Sequence, residues 1–254
     1  MSPPIKYTTN YLSPGFTAII DVRSPSEYAE DHIPGSINMP VLSDTERAEV
    51  GTMYKQVGSF EAKRCGAALV SRNISYLLEK KLNNAPRNFS PLIYCWRGGQ
   101  RSGAMARILS EIGWRVTLLE GGYKTYRKQV LDGLDRIPPT LRPIILRGRT
   151  GLAKTRILRA AAKLGTQVID LEGLAAHRGS HLGSEPGYNQ PSQRKFETRI
   201  FDVMRNLDPV RRVVIEAESN NVGACQVPTE LWRSMGRSQS IQITAPLAAR
   251  VEFL

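Results

Sequence analysis

The chain has 254 residues, which is enough for one large domain or two ordinary ones. Lys and Arg exceed Asp and Glu by 35 − 23 = 12, and this excess favours an anionic partner such as nucleic acid or a phosphorylated ligand. No apolar run reaches the length of a membrane span and no signal peptide is recognisable, so we expect a cytoplasmic protein without a membrane partner. Three widely spaced cysteines fit a reducing compartment, and no Cys/His cluster has the spacing of a zinc site.

Short apolar segments alternate with helical patterns along the first half of the chain. The predicted elements are, in chain order, a strand at 17–23, a helix from Ser24, a brief strand at 37–40, a helix at 66–82, a strand at 92–94, a helix at 102–112, a strand at 115–119 and a helix at 123–134. Strands that alternate with helices predict an α/β fold, in which a parallel sheet carries helices on both faces.

Three prolines within residues 138–143 interrupt this pattern and predict a linker. We therefore expect an N-terminal domain at 1–136, a Pro-rich linker at 137–143 and a second α/β domain at 144–254. The predicted elements of the second domain are a strand at 144–146, a helix at 154–164, a strand at 167–170, a polar loop at 177–193, a helix at 192–207, strands at 213–215 and 240–244, and a helix start at 246.

The segment that joins the strand at 92–94 to the next helix has the strongest catalytic pattern. Its residues are Cys95, Trp96, Arg97, Gly98, Gly99, Gln100, Arg101 and Ser102. Unpaired backbone N–H groups and the helix dipole make the potential positive at such a turn, and Arg97 and Arg101 add two cations. A cysteine there reacts as a thiolate, so we predict Cys95, Arg97 and Arg101 as catalytic residues and the others as the active-site loop. The alternatives are a structural cysteine, and a Trp96 that packs rather than stacks on a base.

A glycine-rich segment, Gly148-Arg-Thr-Gly-Leu-Ala-Lys-Thr155, follows the strand at 144–146 and differs from a P-loop at one position. In a P-loop, backbone amides surround phosphate groups, the lysine reaches the terminal ones and the hydroxyl binds Mg²⁺, which makes Mg²⁺ a candidate ion. Ala153 replaces the usual glycine, and we expect a negative φ there because alanine avoids positive φ. The predicted phosphate-binding residues are Gly148, Thr150, Gly151, Lys154 and Thr155. An ordinary strand–helix turn is the alternative.

Two further polar groups are candidates for substrate or metal contacts. Glu216 and Glu218 end the strand at 213–215, where they would be acidic metal partners or a solvated strand end. His177, Arg178 and Ser180 lie in a polar loop that would bind phosphate or RNA, or would have no special role. No residue is assigned as a definite metal ligand.

The first half resembles a rhodanese domain. The resemblance is carried by Asp21-Val-Arg-Ser-Pro-x-Glu-Tyr28, by His32-Ile-Pro-Gly-Ser-Ile-Asn-x-Pro40, by the loop that follows Tyr94, and by Leu119-Glu-Gly-Gly-Tyr123. It implies that Cys95 accepts a sulfur atom as a persulfide. The loop is longer than in simple sulfurtransferases, because Cys95 to Arg101 has the Cys-x5-Arg spacing of rhodanese-related phosphatases. A loop of this width can hold a tetrahedral oxyanion, with Arg101 as a fork for its oxygens.

A rhodanese-like domain followed by a P-loop domain resembles the tRNA 2-selenouridine synthase family, from about Tyr11 to the last residue. The resemblance implies an enzyme that replaces the sulfur of wobble 2-thiouridine by selenium from selenophosphate, through an S-geranyl intermediate made from geranyl diphosphate. Selenophosphate and geranyl diphosphate are therefore the expected co-substrates, with no tightly bound cofactor. The expected partner is tRNA, and a selenophosphate-supplying enzyme is a candidate. Cys95 corresponds to the catalytic thiol, and the P-loop residues correspond to the phosphate or diphosphate site.

The second domain, with about 115 residues, is short for a P-loop domain, so we expect it to be incomplete through C-terminal truncation. The leading hypothesis is a selenium-transferring tRNA-modifying enzyme. The alternatives are a plain rhodanese sulfurtransferase or Cys-x5-Arg phosphatase, and an inactive tRNA-binding remnant.

Overall fold

The computed structural model describes residues 2–149, 151–177, 187 and 189–253. The chain divides into two compact units, Met1–Lys128 and Gln129–Leu254. Both units contain parallel sheets whose strands alternate with helices along the chain, so the predicted α/β class is confirmed. Among the described residues, no helix combines the length and the apolar character that crossing a membrane requires.

The first unit is built around a five-stranded parallel sheet with the order β1-β5-β4-β2-β3. Its elements are β1 (Lys6–Thr8), β2 (Ala18–Asp21), α1 (Pro25–Glu30), β3 (Ile37–Asn38), α2 (Asp44–Gln56), α3 (Ser59–Lys81), β4 (Pro91–Tyr94), α4 (Gln100–Ile112), β5 (Thr117–Leu119) and the beginning of α5 (Gly122–Arg136). All four residues of the central strand β4 are buried. The loop after β4 therefore leaves the middle of the sheet at its carboxyl edge, where parallel α/β sheets place their ligands.

Two features of this unit differ from the expectation from sequence. Strand β1 was not predicted, because three largely exposed residues give no periodic signal, and its register comes from pairing with Thr117–Leu119. Residues 43–58, which lack an apolar stripe, form α2 with the N-cap Ser43, whose side chain accepts a hydrogen bond from the backbone of Glu46. Helix α3 also begins seven residues earlier than its apolar pattern, at Ser59.

The second unit contains a four-stranded parallel sheet with the order β11-β6-β8-β7. After the end of α5, its elements are a 3-10 helix (Pro138–Thr140), β6 (Arg142–Arg147), α6 (Lys154–Lys163), β7 (Gln167–Ile169), α7 (Leu171–Leu174), α8 (Gln193–Met204), β8 (Arg212–Glu216), β9 (Asn221–Val222), β10 (Cys225–Gln226), α9 (Thr229–Gly236), β11 (Gln239–Gln242) and α10 (Leu247–Phe253). The glycine-rich segment follows β6, and Glu216 ends the neighbouring β8, so both lie at the same edge of the sheet.

The segment 137–143, expected to be a linker, has regular structure. Pro138–Thr140 form the 3-10 helix, and strand β6 already begins at Arg142, with Pro143 opposite Val213. Pro138 and Leu141 are buried, so this segment is part of the second unit's packing. The division between the units falls earlier, after Lys128, within the length of α5.

Candidate functional sites

Cys95 lies directly after β4, and its side chain is buried, with 4% exposed. The Ser102 hydroxyl donates a hydrogen bond to Cys95 Sγ at 3.3 Å. Helix α4 begins at Gln100, after Gly99 takes the left-handed conformation with φ 76°. Within the described residues, the backbone N–H groups at positions 96 to 99 donate to no protein acceptor. The loop therefore presents the free N–H groups and the hydroxyl donor that stabilise negative charge at a thiolate.

The start of α5 holds this loop in place. The backbone N–H of Tyr123 donates to the carbonyl of Cys95 at 2.8 Å, and that of Lys124 donates to the carbonyl of Trp96 at 3.1 Å. A Cβ on Gly122 would lie 2.3 Å from the Cys95 carbonyl oxygen, and Gly122 has a positive φ of 58°. Only glycine permits this close approach without a backbone shift. The ring of Trp96 stacks on that of Tyr123 with a centroid distance of 5.3 Å. This contact favours the alternative in which Trp96 packs within the protein rather than stacks on a base.

Arg101 is bound by a carboxylate from another part of the unit. Its guanidinium donates to both carboxylate oxygens of Glu27, at 2.8 and 3.3 Å. Burial raises the pKa of Glu27, but the hydrogen bond and charge of Arg101, the Ser24 backbone N–H and the charge of Arg47 together lower it, so the net pKa lies below its ordinary value. The more exposed Arg47 also reaches Glu27, at 3.1 Å. Glu27 thus fixes the position of the loop arginine.

A buried polar network lies next to these groups. Arg23, with 1% exposed, donates to both carboxylate oxygens of Asp21 and to the backbone carbonyl of Asp31. Its guanidinium lies 4.1 Å from the ring centroid of Tyr123, whose hydroxyl donates to Asp31 at 2.7 Å. Burial raises the pKa of Tyr123, so its hydroxyl remains a donor. Because Arg23 is paired with Asp21 and the Tyr123 hydroxyl is bonded to Asp31, the network ties α5 to the neighbouring segments of the sheet edge.

In the part of the chain that the structure describes, two pockets border the loop. One has a volume of about 390 Å³ and is lined by Tyr7, Arg97, Gly98, Gly99, Ser102, Leu118, Leu119, Glu120 and Gly121. The other, of about 300 Å³, is mostly apolar and is lined by Leu42, Val50, Tyr54, Ala62, Lys63, Gly66, Ala67, Val70, Gln100, Arg101 and Ala104. Two pockets, the first more polar than the second, thus lie beside the same short loop.

The glycine-rich segment of the second unit has the strand–loop–helix context of a P-loop. Ala153, the N-cap of α6, has a φ of 53°, so the expected negative φ is wrong. The loop keeps the left-handed conformation that glycine adopts freely, and alanine there is strained by about 1–2 kcal/mol. Gly151 also has a positive φ, and a Cβ on it would lie 2.7 Å from the Arg250 carbonyl oxygen. Lys154 and Thr155 open the helix, where N–H groups favour phosphate.

Carboxylates gather beside this helix start. The Thr155 hydroxyl donates to Glu172 Oε2 at 2.8 Å, and the Glu172 backbone N–H donates to Glu216 Oε1 at 2.7 Å. The other oxygen of Glu216, Oε2, is buried and has no partner in the described chain. Burial and the neighbouring Asp170 raise the pKa of Glu216 to about 9. Burial and a hydrogen bond with Glu172 raise the pKa of Glu218 to about 7, while Lys154 opposes the rise.

The oxygen donors of this cluster suit Mg²⁺, which usually takes one or two carboxylates and completes its shell with water and phosphate oxygens. Thr155 and the unpaired Glu216 oxygen are the residues that would hold the ion. Among the described residues, no group of three or more His, Cys, Asp or Glu side chains has the arrangement of an all-protein metal site. These residues therefore suit a Mg²⁺ ion that binds together with a phosphate ligand.

The structure brings the predicted residues together in two groups, Cys95 to Ser102 in the first unit and Lys154, Thr155, Glu216 and Glu218 in the second. Thr150, Arg178 and Ser180 lie outside the described residues. His177 donates its backbone N–H to the Glu172 carbonyl at 3.0 Å.

Sequence reasoning did not assign Glu27 or Glu172 to a site. Glu27 was read only as part of a motif. Glu172 was recoverable, because it follows strand β7, and the carboxyl ends of neighbouring parallel strands meet at one edge of the sheet.

Comparison with known proteins divides the chain into two parts that correspond closely to the two structural units. A family model described as rhodanese-like domain matches residues 7–129, and one described as tRNA 2-selenouridine synthase AAA domain matches residues 141–254. A tRNA 2-selenouridine synthase of Alcanivorax borkumensis is 36% identical over 96% of this chain and 68% of its own length. One of Nitrosomonas europaea is 35% identical over 93% of this chain and 62% of its own length. The chain thus spans less than two thirds of several relatives that it matches.

Solved structures are similar to about half of this chain. The N-terminal domain of a Clostridium difficile protein is 40% identical, with a TM-score of 0.45, over 50% of this chain and 99% of that domain. A rhodanese-related protein from Thermoplasma volcanium is 21% identical, with a TM-score of 0.28, over 44% of this chain and 77% of its own.

Proposed function

This chain belongs to the tRNA 2-selenouridine synthase family, and on that premise we propose that it modifies the wobble 2-thiouridine of tRNA in the cytoplasm. The observation that supports this proposal best is the combination of both family domains in one chain, with the cysteine loop and the glycine-rich loop at the carboxyl edges of their sheets.

The proposed chemistry has two steps. The thiocarbonyl sulfur of the uridine first attacks geranyl diphosphate, so that a carbon–sulfur bond forms and diphosphate leaves. Selenium from selenophosphate then replaces this sulfur at the base, geranylthiol leaves and the phosphoryl group ends on water as orthophosphate. Neither step changes an oxidation state, so no redox cofactor is required.

The cysteine loop is suited to the selenium step. Selenophosphate is a small tetrahedral anion, and the 390 Å³ pocket beside the loop contains the exposed Arg97 and the backbone of Gly98 and Gly99. Free backbone N–H groups and a guanidinium bind such anions with charge-assisted hydrogen bonds. The Cys95 thiol lies next to this pocket through its hydrogen bond to Ser102.

The apolar pocket supports the geranylated intermediate. Aliphatic side chains from α2, α3 and α4 form most of its wall, while Lys63 and Arg101 contribute the cations. A geranyl chain on a tRNA nucleoside fits this distribution, because apolar burial favours the chain and the cations favour the neighbouring tRNA phosphates. We place the geranyl chain of the modified nucleoside in this pocket.

The second unit is suited to the diphosphate of geranyl diphosphate. Lys154 and the backbone N–H groups at the start of α6 would bind its oxygens, and Thr155 and Glu216 would hold Mg²⁺ if the ion accompanies it. Bound Mg²⁺ supplies charge neutralisation of the diphosphate. The net charge of +12 suits the tRNA backbone, for which affinity should fall as salt rises.

The test is incubation of the full chain with 2-thiouridine tRNA, geranyl diphosphate and selenophosphate, followed by mass analysis of the nucleosides. We expect 2-selenouridine from the native chain and its loss in Cys95→Ser. The matched control is Cys65→Ser, which removes a thiol on α3 outside the loop and should retain activity. Unchanged 2-thiouridine with a folded native chain would contradict the proposal.

A separate variant tests the assignment of the geranyl chain to the apolar pocket. Ala104→Leu should fill it from α4 and reduce the yield of selenouridine by about tenfold, while S-geranyl nucleoside accumulates. Ala160→Leu, on the exposed face of α6, is the control.

A further inference from the structure

We propose that Cys95 releases selenium from selenophosphate by accepting its phosphoryl group, so that a phosphocysteine forms and selenide is set free. This inference rests on the proposed function, because it takes selenophosphate as the substrate of the cysteine loop. It adds an activity that the proposed function does not require, since it predicts turnover of selenophosphate and of thiophosphate without tRNA.

The spacing of the loop residues and their unbonded N–H groups carry the first part of the argument. Five residues separate Cys95 from Arg101, and their backbone turns through Gly98 and Gly99 into the start of α4. The N–H groups at 96 to 99 are left without a protein acceptor in the described chain. A phosphoryl group has three outer oxygens, and a ring of N–H donors with an arginine matches them better than it matches a single sulfur or selenium atom.

The second part of the argument concerns the release of the Cys95 thiolate when phosphocysteine is hydrolysed. Ser102 is the residue after Arg101, and its hydroxyl donates to Cys95 Sγ at 3.3 Å while both side chains are largely buried. When a phosphocysteine is hydrolysed, the thiolate is the leaving group, and this hydroxyl would stabilise its developing charge. Two buried groups held in contact are suited to a step in which charge returns to sulfur.

The third part concerns Arg101. Glu27 binds its guanidinium through two N–H groups, and an arginine has five such donors in a fixed plane. The carboxylate therefore orients the arginine without using all its donors. The exposed Arg97, a second cation of the loop, lines the 390 Å³ pocket and would attract the substrate anion.

The bond changes balance without an external oxidant or reductant. The Cys95 thiolate attacks phosphorus, the S–P bond forms, and the P–Se bond breaks with its electron pair on selenium, which takes one proton and leaves as the hydrogen selenide anion, HSe⁻. Water then attacks the phosphorus of phosphocysteine, orthophosphate leaves, and the thiolate returns. Hydrogen selenide is the nucleophile that replaces sulfur at the base.

A transfer of selenium itself to Cys95 is less consistent with the chemistry. Moving a neutral selenium atom onto the thiolate would leave phosphorus in a lower oxidation state, so orthophosphate could form only with an oxidant. Phosphoryl transfer keeps the oxidation states of phosphorus, selenium and sulfur constant.

The test follows phosphorus and chalcogen in the full chain without tRNA, under oxygen-free conditions, with thiophosphate and then selenophosphate as probes. We expect release of sulfide or selenide together with orthophosphate, and neither product in Cys95→Ser. In Ser102→Ala, the phosphocysteine should persist about tenfold longer, since a hydrogen bond to the leaving thiolate is lost. Phosphorus NMR and the mass of the acid-quenched Cys95 peptide detect it. Ser110→Ala, a buried serine on the same helix whose hydroxyl donates to the Pro3 carbonyl, is the matched control.

The same preparation is assayed for selenouridine, which separates the two proposals. Selenouridine formation without phosphocysteine in either the native chain or Ser102→Ala would overturn the inference and leave the proposed function standing. Phosphocysteine without selenouridine would support the inference and contradict the proposed function. Neither product from a chain with a native melting transition would count against both.

Discussion

Arg101 and Glu27 form a two-bond ion pair, with N–O distances of 2.8 and 3.3 Å, that joins the cysteine loop to helix α1. The side chains are 19% and 9% exposed, so this pair is shielded more than a surface salt bridge. The loop arginine is therefore held before any substrate binds, and the pair is the first place to test how the site is organised.

Glu27→Gln should lower selenouridine formation by about tenfold and the free energy of unfolding by about 1–2 kcal/mol, because a charge-assisted hydrogen-bond pair is lost. The measurements are turnover and chemical denaturation. Arg47→Gln is the control, since Arg47 is half exposed and its removal should cost less than about 1 kcal/mol. Equal effects of the two variants would contradict the assigned role of Glu27.

The same pair predicts a pH dependence. The pKa of Glu27 is lowered in the folded state, so its contribution to stability is present above the unfolded pKa and is lost as pH falls through the folded value. The stability difference between the native chain and Glu27→Gln should therefore be full at pH 7 and should shrink on acidification below 4.5, the ordinary pKa of a glutamate. Denaturation of both proteins at a series of pH values measures this stability difference. A difference that grows on acidification would contradict the lowered pKa of Glu27.

Ala153→Gly should stabilise the second unit by about 0.5–1 kcal/mol, because the relief of left-handed strain exceeds the added entropy of glycine in the unfolded chain. Thermal melting of both units should show an increase confined to the transition of the second unit. Ala160→Gly is the matched control in the exposed interior of α6, where glycine should destabilise by about 1 kcal/mol. The two alanine-to-glycine changes should thus have opposite signs.

Gly122→Ala should displace the cysteine loop, because the added Cβ would lie 2.3 Å from the Cys95 carbonyl oxygen at a residue with positive φ. We expect a loss of activity of at least about a hundredfold and a destabilisation of about 2 kcal/mol or more. Gly51→Ala in α2 has open space around it, and there the change should be neutral or stabilising. Full activity in Gly122→Ala would show that α5 does not position the loop.

Glu216→Gln should flatten the pH dependence of the second unit's stability in metal-free buffer. The pKa of Glu216 is raised to about 9, so the folded state prefers the protonated carboxyl, and stability falls as pH rises from about 4.5 towards 9. The glutamine variant should be more stable than the native chain at pH 8 and similar at pH 4. Glu252→Gln, at an exposed residue of α10, should leave the slope unchanged, and an unchanged slope in Glu216→Gln as well would contradict the assignment.

Both loops could be predicted from sequence because their signals are local. The cysteine, the glycines and the arginines lie within eight consecutive residues, and the strand before and helix after them follow from short-range patterns. The α/β class follows from the same alternation. Strand β1 and helix α2 could not be predicted, since one depends on pairing with a strand about 110 residues away and the other has no buried residue.

Contacts between distant residues were decided only by the tertiary structure. The sequence predicted that Cys95 follows a strand. The fold brings Gly122 against the Cys95 carbonyl, and it brings Glu27 to the guanidinium of Arg101, which is 74 residues away in the sequence. Likewise, Lys154 and Thr155 are recognisable in the sequence, whereas the carboxylates beside them come from strands whose order is set by the sheet. The reactive residues of each loop are adjacent in the sequence and can be recognised there. The residues that orient them are distant in the sequence and are brought to the same edge of the sheet only by the fold.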